Sequence, residues 1–359
     1  MENNEKGKLY KKIRDDIRVE LGKFVQGDFV GTEVSFAEKY NVSRPTIRKA
    51  VELLIEEGVL ERKAGIGLVI PSAQKHPNKH KDSILIIANI QKRDINLFSK
   101  SILGIIDYAN SLNYSYQIIN HSDKVLRNDI LRRLNLDLFA GAVLTAYNDI
   151  YDTEMLDLLN ANNIPFVLID NPLEKGIYNY VVADDYIGGY MIGDYLGQLG
   201  HKKIMFLSTT NMAKTLENRL QGIKDGLEKH KVFLAPNDII WLSFEAEAEP
   251  YIAGRAVSGN FNYTAIACGN DITALFAYNA LNALGINIPG QVSITGFDGS
   301  IGEVLTPIKF TTVKIPGYDM GHEAARILFE SLLNNSAHTK KIILDVSLEI
   351  GNSTAPVSP

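Results

Sequence analysis

The chain has 359 residues, a length that suggests two or three domains. Hydrophobic residues make up 45% and charged residues 22%, which are ordinary values for a soluble globular protein. No apolar run is long enough to span a bilayer, and the N-terminal residues lack the apolar core of a signal peptide, so we expect a cytoplasmic protein. The single cysteine, Cys268, excludes an internal disulfide, and the sequence predicts neither a metal site nor a cofactor.

Charge is distributed unevenly along the sequence. Residues 1–82 carry a net charge of +3 and residues 83–359 a net charge of −8, which together give the formal value of −5. Such asymmetry indicates a short module that meets an anion, joined to a larger acidic segment.

The first 70 residues predict three helices and a β-hairpin. The first helix, over 8–24, has an apolar stripe at three- and four-residue steps. A second, short helix is expected from a capping box formed by Ser35 and Glu38. The third helix opens at Ser43 as N-cap, with Pro45 in its first turn. The apolar positions expected to be buried are Leu9, Ile13, Ile17, Leu21 and Phe24 on the first helix and Ile47, Val51, Leu54 and Ile55 on the third.

Two short β-prone runs, 59–62 and 68–70, flank a Gly-bearing turn and predict the hairpin. Three helices followed by such a hairpin make a winged helix-turn-helix over residues 1–70. Residues 71–82 are polar and Pro-punctuated, which is typical of a linker.

From residue 83 onward, apolar strands alternate with amphipathic helices, which predicts an α/β fold with doubly wound parallel sheets. Because there are too many units for one open sheet, two lobes are expected. The predicted strands are 84–87, 116–119, 142–144, 166–169, 203–207, 265–267 and 292–294, and the predicted helices are 99–112, 124–135, 153–162, 186–199, 215–229, 271–284 and 317–334.

The third helix and the hairpin supply the candidate DNA-binding residues. Arginine can bind guanine through two hydrogen bonds, and Ser and Thr hydroxyls can donate hydrogen bonds to phosphates. The glycines allow the hairpin tip to approach the DNA backbone. An ordinary protein-binding winged helix with solvated surface charges is the alternative. The candidates are Ser43, Arg44, Pro45, Thr46, Arg48, Arg62, Lys63, Gly65 and Gly67.

The stretch from Phe36 to Ile70, which includes VSRPTIRKA, resembles the GntR-type winged helix-turn-helix. Two residues depart from the pattern of that family. Thr32-Glu33-Val34 lacks the usual arginine, and Leu68 replaces a usual threonine in the wing.

Residues 83–359 resemble the LacI/GalR effector domain, which is similar to periplasmic sugar-binding proteins. The resemblance is carried in order by YLGQLGHKKI from Tyr195, NRLQGI from Asn218, CGNDITAL from Cys268 and ITGFDG from Ile294. A GntR-type head on a LacI-type body is the arrangement of AraR-like bacterial regulators. The resemblance implies an N-lobe of about 83–183 and 312–343, and a C-lobe of about 184–311 and 344–359.

The same resemblance implies the effector-binding residues. In the C-lobe they are Arg219, Asn270 and Asp298, with Phe244 as a stacking aromatic and Trp241 as its alternative. In the N-lobe they are Asn96, Phe98, Asp170 and Asn171. A sugar needs fixed donors and acceptors, and arginine, aspartate and asparagine supply them in different combinations.

Other roles remain open for these residues. Asp298 could cap the next segment, Asn270 could be a turn residue, and Arg219 could pair with Glu217 or another surface acid. His201 is expected to be structural and Cys268 a small buried hydrophobe, and the C-terminal tail is expected to be loosely held.

These features predict a sequence-specific transcriptional regulator that represses sugar-utilisation genes. The expected partners are operator DNA, a monosaccharide such as a pentose, and a second copy of the chain bound through the effector domain. Sugar between the lobes would favour a closed form and release the operator. A nucleoside or phosphosugar effector is an alternative, as is a sugar-processing enzyme. The enzyme is disfavoured because the sequence has no GxxxxGK[ST] loop and no GxSxG elbow.

Overall fold

The computed structural model describes residues 2–21, 23–24, 27–56, 59–63, 65–70, 82–88, 95–120, 134–145, 153–170, 178–210, 214–301, 308–334 and 339–357. The helices are α1 (Glu2–Leu21), α2 (Glu33–Lys39), α3 (Arg44–Glu56), α4 (Ile95–Ser111), α5 (Thr153–Ala161), α6 (Asp185–Gln198), α7 (Lys214–Glu228), α8 (Ala248–Val257), α9 (Asp271–Ala283) and α10 (Gly317–Asn334). The strands are β1 (Phe29–Gly31), β2 (Glu61–Lys63), β3 (Gly67–Val69), β4 (Ser83–Ala88), β5 (Ser115–Asn120), β6 (Phe139–Thr145), β7 (Phe166–Ile169), β8 (Asn179–Ala183), β9 (Ile204–Thr209), β10 (Ile239–Leu242), β11 (Ala265–Cys268), β12 (Ser293–Asp298), β13 (Thr311–Lys314), β14 (Lys341–Leu344) and β15 (Ser347–Glu349).

The chain divides into two compact units. We call residues 2–70, which lie in the first unit, the head, and the residues from 82 onward, nearly all of which lie in the second unit, the body. The predicted linker at 71–82 and the predicted helix at 124–135 fall mainly outside the described residues. Within the described part of the chain, no helix is long and apolar enough to cross a membrane.

The head buries six of the nine apolar positions that the sequence predicts, while Phe24 and Ile55 are partly buried and the side chain of Leu9 lies outside the described part. Ile17 of α1 and Ile47, Val51 and Leu54 of α3 are fully buried in one cluster. The second helix begins earlier than expected, because Thr32 caps it. The Thr32 hydroxyl accepts a hydrogen bond from the Ser35 amide at 3.1 Å. The predicted cap at Ser35 is therefore wrong, since Ser35 occupies the N3 position of the capping box and Thr32 is the N-cap.

The hairpin of β2 and β3 is antiparallel as predicted, and the short β1 adds a third strand beside β3. Gly67 lies where β1 and β3 approach closely and has a φ of +124°. A Cβ atom there would lie 2.8 Å from the carbonyl oxygen of Gly31. Glycine is therefore required at this position by both backbone conformation and space.

The body contains two six-stranded sheets, which we call the first and second sheets. The first has the order β14-β8-β7-β6-β4-β5 and is parallel throughout. The second has the order β10-β9-β11-β12-β13-β15, in which only β15 runs antiparallel to its neighbour. Every sheet strand predicted from residue 83 onward is present. Strands β8, β10, β13, β14 and β15 were not predicted.

The chain passes from the first sheet to the second at Asp184, between β8 and α6. It returns after β13, which pairs in the second sheet as far as Lys314. The expected lobe boundary at residue 312 therefore lies too early in the sequence, because β13 completes its pairing with β12 before the chain crosses. A third crossing joins β14 to β15.

Glycines bring α6 and α7 into close contact beside the second sheet. A Cβ atom at Gly189 would lie 2.1 Å from the carbonyl oxygen of Arg219, and one at Gly193 would lie 2.2 Å from that of Ile223. This close approach fixes the position of Arg219 relative to the first turn of α6.

The C-terminal segment is firmly held, and the expectation of a loose tail is wrong. Ser353 is fully buried, and its hydroxyl donates to the carbonyl of Ile294 at 2.5 Å. The Ala355 amide donates to the Ser293 hydroxyl at 3.0 Å, and the ring of buried His201 lies 3.1 Å from the Ala355 carbonyl. The polar residues of this segment therefore hydrogen-bond to the amino end of β12, a central strand of the second sheet.

Candidate functional site

The first turn of α3 presents the predicted DNA-binding side chains to solvent. Arg44, Pro45 and Arg48 are exposed, and Thr46 is partly exposed. The Ser43 carbonyl accepts the amides of Thr46 and Ile47, so the helix begins directly after Ser43 as predicted. The hydroxyls of Ser43 and Thr46 lie 2.8 Å apart.

Two of the candidate arginines form ion pairs within the head. Arg62 of the wing donates to Glu33 at 2.5 Å, and Arg48 donates to Glu52 at 3.3 Å. These pairs are largely exposed, and exposed pairs contribute only about 0–1 kcal/mol. Phosphate oxygens can therefore replace the carboxylates at little cost. Arg44 makes no ion pair with the described residues.

The wing places its remaining candidates beside these arginines. Lys63 ends β2 and is partly exposed, while Gly65 lies in the exposed turn with a φ of +76°. A Cβ atom at Gly65 would meet nothing within 4 Å. The tip is thus narrow and open, as a hairpin that approaches a DNA backbone requires.

Three predicted effector-binding residues follow neighbouring strands of the second sheet. Arg219 lies on the helix after β9, Asn270 follows β11, and Asp298 ends β12. The three strands are parallel, so their carboxyl ends lie at the same edge of the sheet. Phe244 follows β10 at that edge and is 53% exposed.

Arg219 lies among the polar residues at this edge of the sheet and is almost completely buried. Its Nε donates to Asp185 at 2.8 Å and its Nη1 donates to the Gly269 carbonyl at 2.7 Å. Nη1 also lies 2.9 Å from Asp298 Oδ1, and the guanidinium carbon lies 3.8 Å from the centre of the Phe297 ring. The alternative pairing of Arg219 with Glu217 is wrong, because Glu217 pairs with Lys214 instead.

Burial and charge act against each other in this cluster. Burial opposes the charge of Arg219, but the carboxylates of Asp298, Asp185 and Asp170 outweigh it and raise the pKa of the guanidinium. Burial raises the pKa of Asp298 well above its ordinary value, although Arg219 partly offsets this. Burial likewise raises the pKa of Asp185. The site thus holds one permanent cation among carboxylates that are costly to keep ionised.

Asn270 and its neighbour Asp271 have structural contacts. The Asn270 side chain caps α9 by accepting the Thr273 amide at 2.7 Å. Asp271 is buried and accepts the Ser300 amide at 2.7 Å and the Thr312 hydroxyl at 2.6 Å. Burial raises the pKa of Asp271 to about 6. Asp271 therefore connects the loop after β12 to β13. Asn270 lies at the carboxyl edge of the sheet, where its side-chain oxygen already accepts the Thr273 amide.

Asp170 brings the first sheet into the same electrostatic cluster. It follows β7, and its charge acts on both Arg219 and Asp298. Asp170 has a φ of +77° and Asp298 one of +98°, and both values lie in the left-handed region that L-residues rarely adopt. Such strain is concentrated at functional sites. One strained aspartate therefore stands at the carboxyl edge of each sheet.

The other effector-binding residues predicted in the N-lobe lie only partly within the described residues. The backbone of Asn96 and Phe98 lies in the first turn of α4, and their side chains lie outside the described residues. Asn171 also falls outside them. Trp241, the alternative to Phe244, packs edge-on against Phe206 at 5.4 Å, so its ring is committed to the body's core.

Two residues of the site, Asp185 and Phe297, were not predicted from the sequence. Asp185 directly follows Asp184, which caps α6 by accepting the Ile187 amide. Phe297 reads as an ordinary buried strand residue. Only the packing of α6 against α7, and of β12 below Arg219, reveals that both touch the guanidinium.

The two units and their sites define a bacterial transcriptional regulator with a DNA-binding head and an effector-binding body. Residues 6–70 match the model of the gntR family of bacterial regulatory proteins, and residues 194–354 match that of the periplasmic binding protein-like domain.

Two relatives that match the chain over nearly its whole length are both named arabinose metabolism transcriptional repressor. The chain is 27% identical over 373 residues to the arabinose metabolism transcriptional repressor of Halalkalibacterium halodurans, covering 98% of this chain and 95% of the relative. It is 25% identical over 348 residues to the repressor of that name from Geobacillus stearothermophilus, covering 94% of each.

Solved structures share the fold of the body. A LacI family transcriptional regulator from Enterococcus faecium with bound ribose superposes with a TM-score of 0.66 at 24% identity, covering 77% of this chain and 100% of that structure. A transcriptional regulator CelR–cellobiose complex gives a TM-score of 0.69 at 18% identity, covering 87% and 91%.

Proposed function

We propose that this protein represses sugar-utilisation genes and leaves its operator when a small sugar binds between the two lobes of the body. The observation that carries the proposal is the arginine-centred polar cluster of the body, present in a chain whose head exposes a DNA-reading helix. The proposed units are the head at 1–70, a linker at 71–82 and the effector domain from 83 to 359.

The chemistry of the cluster favours a polyol. Sugar hydroxyls can donate to the carboxylates of Asp298 and Asp170 and accept from the Arg219 guanidinium. We propose Asn96, Phe98, Asp170, Asn171, Arg219, Phe244, Asn270 and Asp298 as the effector-binding set. A monosaccharide such as a pentose accords with the relatives named for arabinose metabolism and with the ribose-bound structure. A nucleoside or a phosphosugar is the runner-up effector.

Release of DNA follows from closure of the lobes. Only a closed form presents the contacts of both sheets to one ligand, so the ligand stabilises that form. We propose that the body forms a homodimer and that closure changes the spacing of the two heads. Because half-sites on DNA are set by the helical repeat, altered spacing lowers operator affinity.

A panel of free sugars, sugar phosphates and nucleosides tests the effector class by thermal shift. We expect free sugars to raise the melting temperature of the full-length chain and the other classes to leave it unchanged. A turnover assay with the same panel tests for enzymatic activity, and we expect no product. A shift only with nucleosides would replace the sugar with the runner-up.

A further inference from the structure

Arg219 is held by a residue from the crossing between the lobes. Asp185 is the first residue of α6, directly after the chain leaves β8 for the second sheet. Its Oδ1 accepts the Arg219 Nε at 2.8 Å, and the two side chains are only 4% and 5% exposed. The contact is enforced by the close approach of α6 and α7, since the Cβ of any larger residue at Gly189 would strike the backbone of Arg219.

This contact leaves one part of the guanidinium available. Nε is taken by Asp185, and Nη1 by the Gly269 carbonyl and Asp298. The Nη2 group makes no hydrogen bond to the described residues. Phe297 covers one face of the guanidinium, so its plane cannot turn freely. Arg219 can thus present Nη2 to a ligand in only one direction.

The same contact sets the charge of the site. Arg219 carries one positive charge, which Asp185 already matches, and Asp298 lies beside it as a second carboxylate. An anionic ligand would therefore meet a site in which Arg219, the one arginine that the described residues contribute, is neutralised, whereas an uncharged hydroxyl group meets donors and acceptors in place.

We propose that Asp185 is a positioning residue of the effector site, which fixes the Arg219 guanidinium and makes the site select uncharged effectors over anionic ones. The proposal rests on the proposed function in that the cluster binds a small sugar. Asp185→Asn keeps the size and one acceptor oxygen but removes the charge, so it separates selection by charge from folding.

The test is calorimetry on the full-length chain with matched probes: L-arabinose and D-ribose, and the anions D-ribose 5-phosphate and D-galacturonate. For the unaltered chain we expect an uncharged sugar to bind at least 100-fold more tightly than either anion. In Asp185→Asn we expect this ratio to fall by tenfold or more, while the uncharged sugar keeps its affinity within about tenfold. Asp157→Asn removes the same charge from an exposed position on α5 and should leave the ratio unchanged.

Three results would overturn the proposal. The first is an Asp185→Asn protein whose ratio of sugar affinity to anion affinity is unaltered. Equal weakening of sugar and anion binding counts as this result, because a fold defect alone would produce it. Another is an unaltered chain that binds the anions as tightly as the sugars. The third is an unaltered chain that binds neither sugar. That third result would also reject these sugars as effectors, whereas either of the first two leaves the proposed repressor intact.

Discussion

Arg219 is buried at the edge of the second sheet, and Asp298, whose side chain is 17% exposed, lies beside it. Burial of charge is costly unless each group is paired. Their pairing distance of 2.9 Å and the strained backbone of Asp298 show that the fold keeps both in place at some expense. Such an arrangement is expected where a ligand completes the network.

Replacement of Arg219 by lysine tests this role, because lysine keeps the charge but loses the planar fork of donors. We expect effector affinity to fall about 10- to 100-fold, since hydrogen bonds to charged groups contribute about 1.5–3 kcal/mol. Calorimetry measures the loss. Arg326→Lys, in a partly exposed ion-pair network on α10, is the control and should bind normally. Normal binding by Arg219→Lys would place the effector elsewhere.

Arg44 is the side chain best placed for base contact, as it is exposed and unpaired among the described residues. We expect Arg44→Ala to weaken operator binding about tenfold or more, since a bidentate contact contributes about 1–3 kcal/mol. Gel shifts at several salt concentrations measure the change. Lys49→Ala removes a charge from the face of α3 that meets the Tyr10 ring at 5.0 Å and should have a smaller effect. Equal losses of operator affinity in Arg44→Ala and Lys49→Ala would indicate that Arg44 contributes only its positive charge.

At the level of elements, the packing of α6 against α7 positions Arg219 in the proposed effector site. We expect Gly189→Ala to lower the free energy of unfolding by about 1–3 kcal/mol, since the added Cβ would lie 2.1 Å from the Arg219 carbonyl oxygen. Effector affinity should fall with it. Gly254→Ala is the control, because its Cβ meets nothing within 4 Å on helix α8 and should be neutral or stabilising. Urea unfolding measures both, and equal stabilities would refute the close contact.

His201 joins the C-terminal segment to the body. Burial lowers its pKa below 6.5, so the neutral ring is preferred in the folded protein. The unfolded chain then takes up the proton first as the pH falls, and stability from His201 is present above pH 6.5 and lost below it. We expect the difference in unfolding free energy between the unaltered chain and His201→Gln to shrink from pH 7.5 to pH 5.5. A constant difference would contradict this, and His322→Gln is the matched control.

Periodic helices and continuous apolar strands could be predicted from the sequence, while short strands of mixed polarity could not. Helix α10 was predicted at 317–334 and found there, because its apolar face repeats over several turns. Strands β13 and β15 were missed, since they lack the continuous apolar run of β7 and depend on tertiary pairing. Likewise Arg219 and Asp298 could be proposed from motifs, whereas the contact of Asp185 depends on helix packing that no local pattern encodes.

The whole molecule combines a mildly basic head with an acidic body. The head together with the linker, residues 1–82, carries a net charge of only +3 and should bind phosphates weakly as a single copy, so operator affinity should depend on two heads held at the correct spacing. Closure of the lobes around a sugar would then act on DNA binding through the dimer.

The most direct measurement is a gel shift with the full-length chain and a DNA duplex selected from a random pool, with and without free sugars. We expect tight binding that falls tenfold or more with at least one sugar. Arg219→Lys should keep the DNA binding but lose the response, and the double variant Arg44→Ala, Arg48→Ala should lose the binding itself. Duplex binding that ignores every sugar, or that persists in the double variant, would contradict a sugar-released repressor.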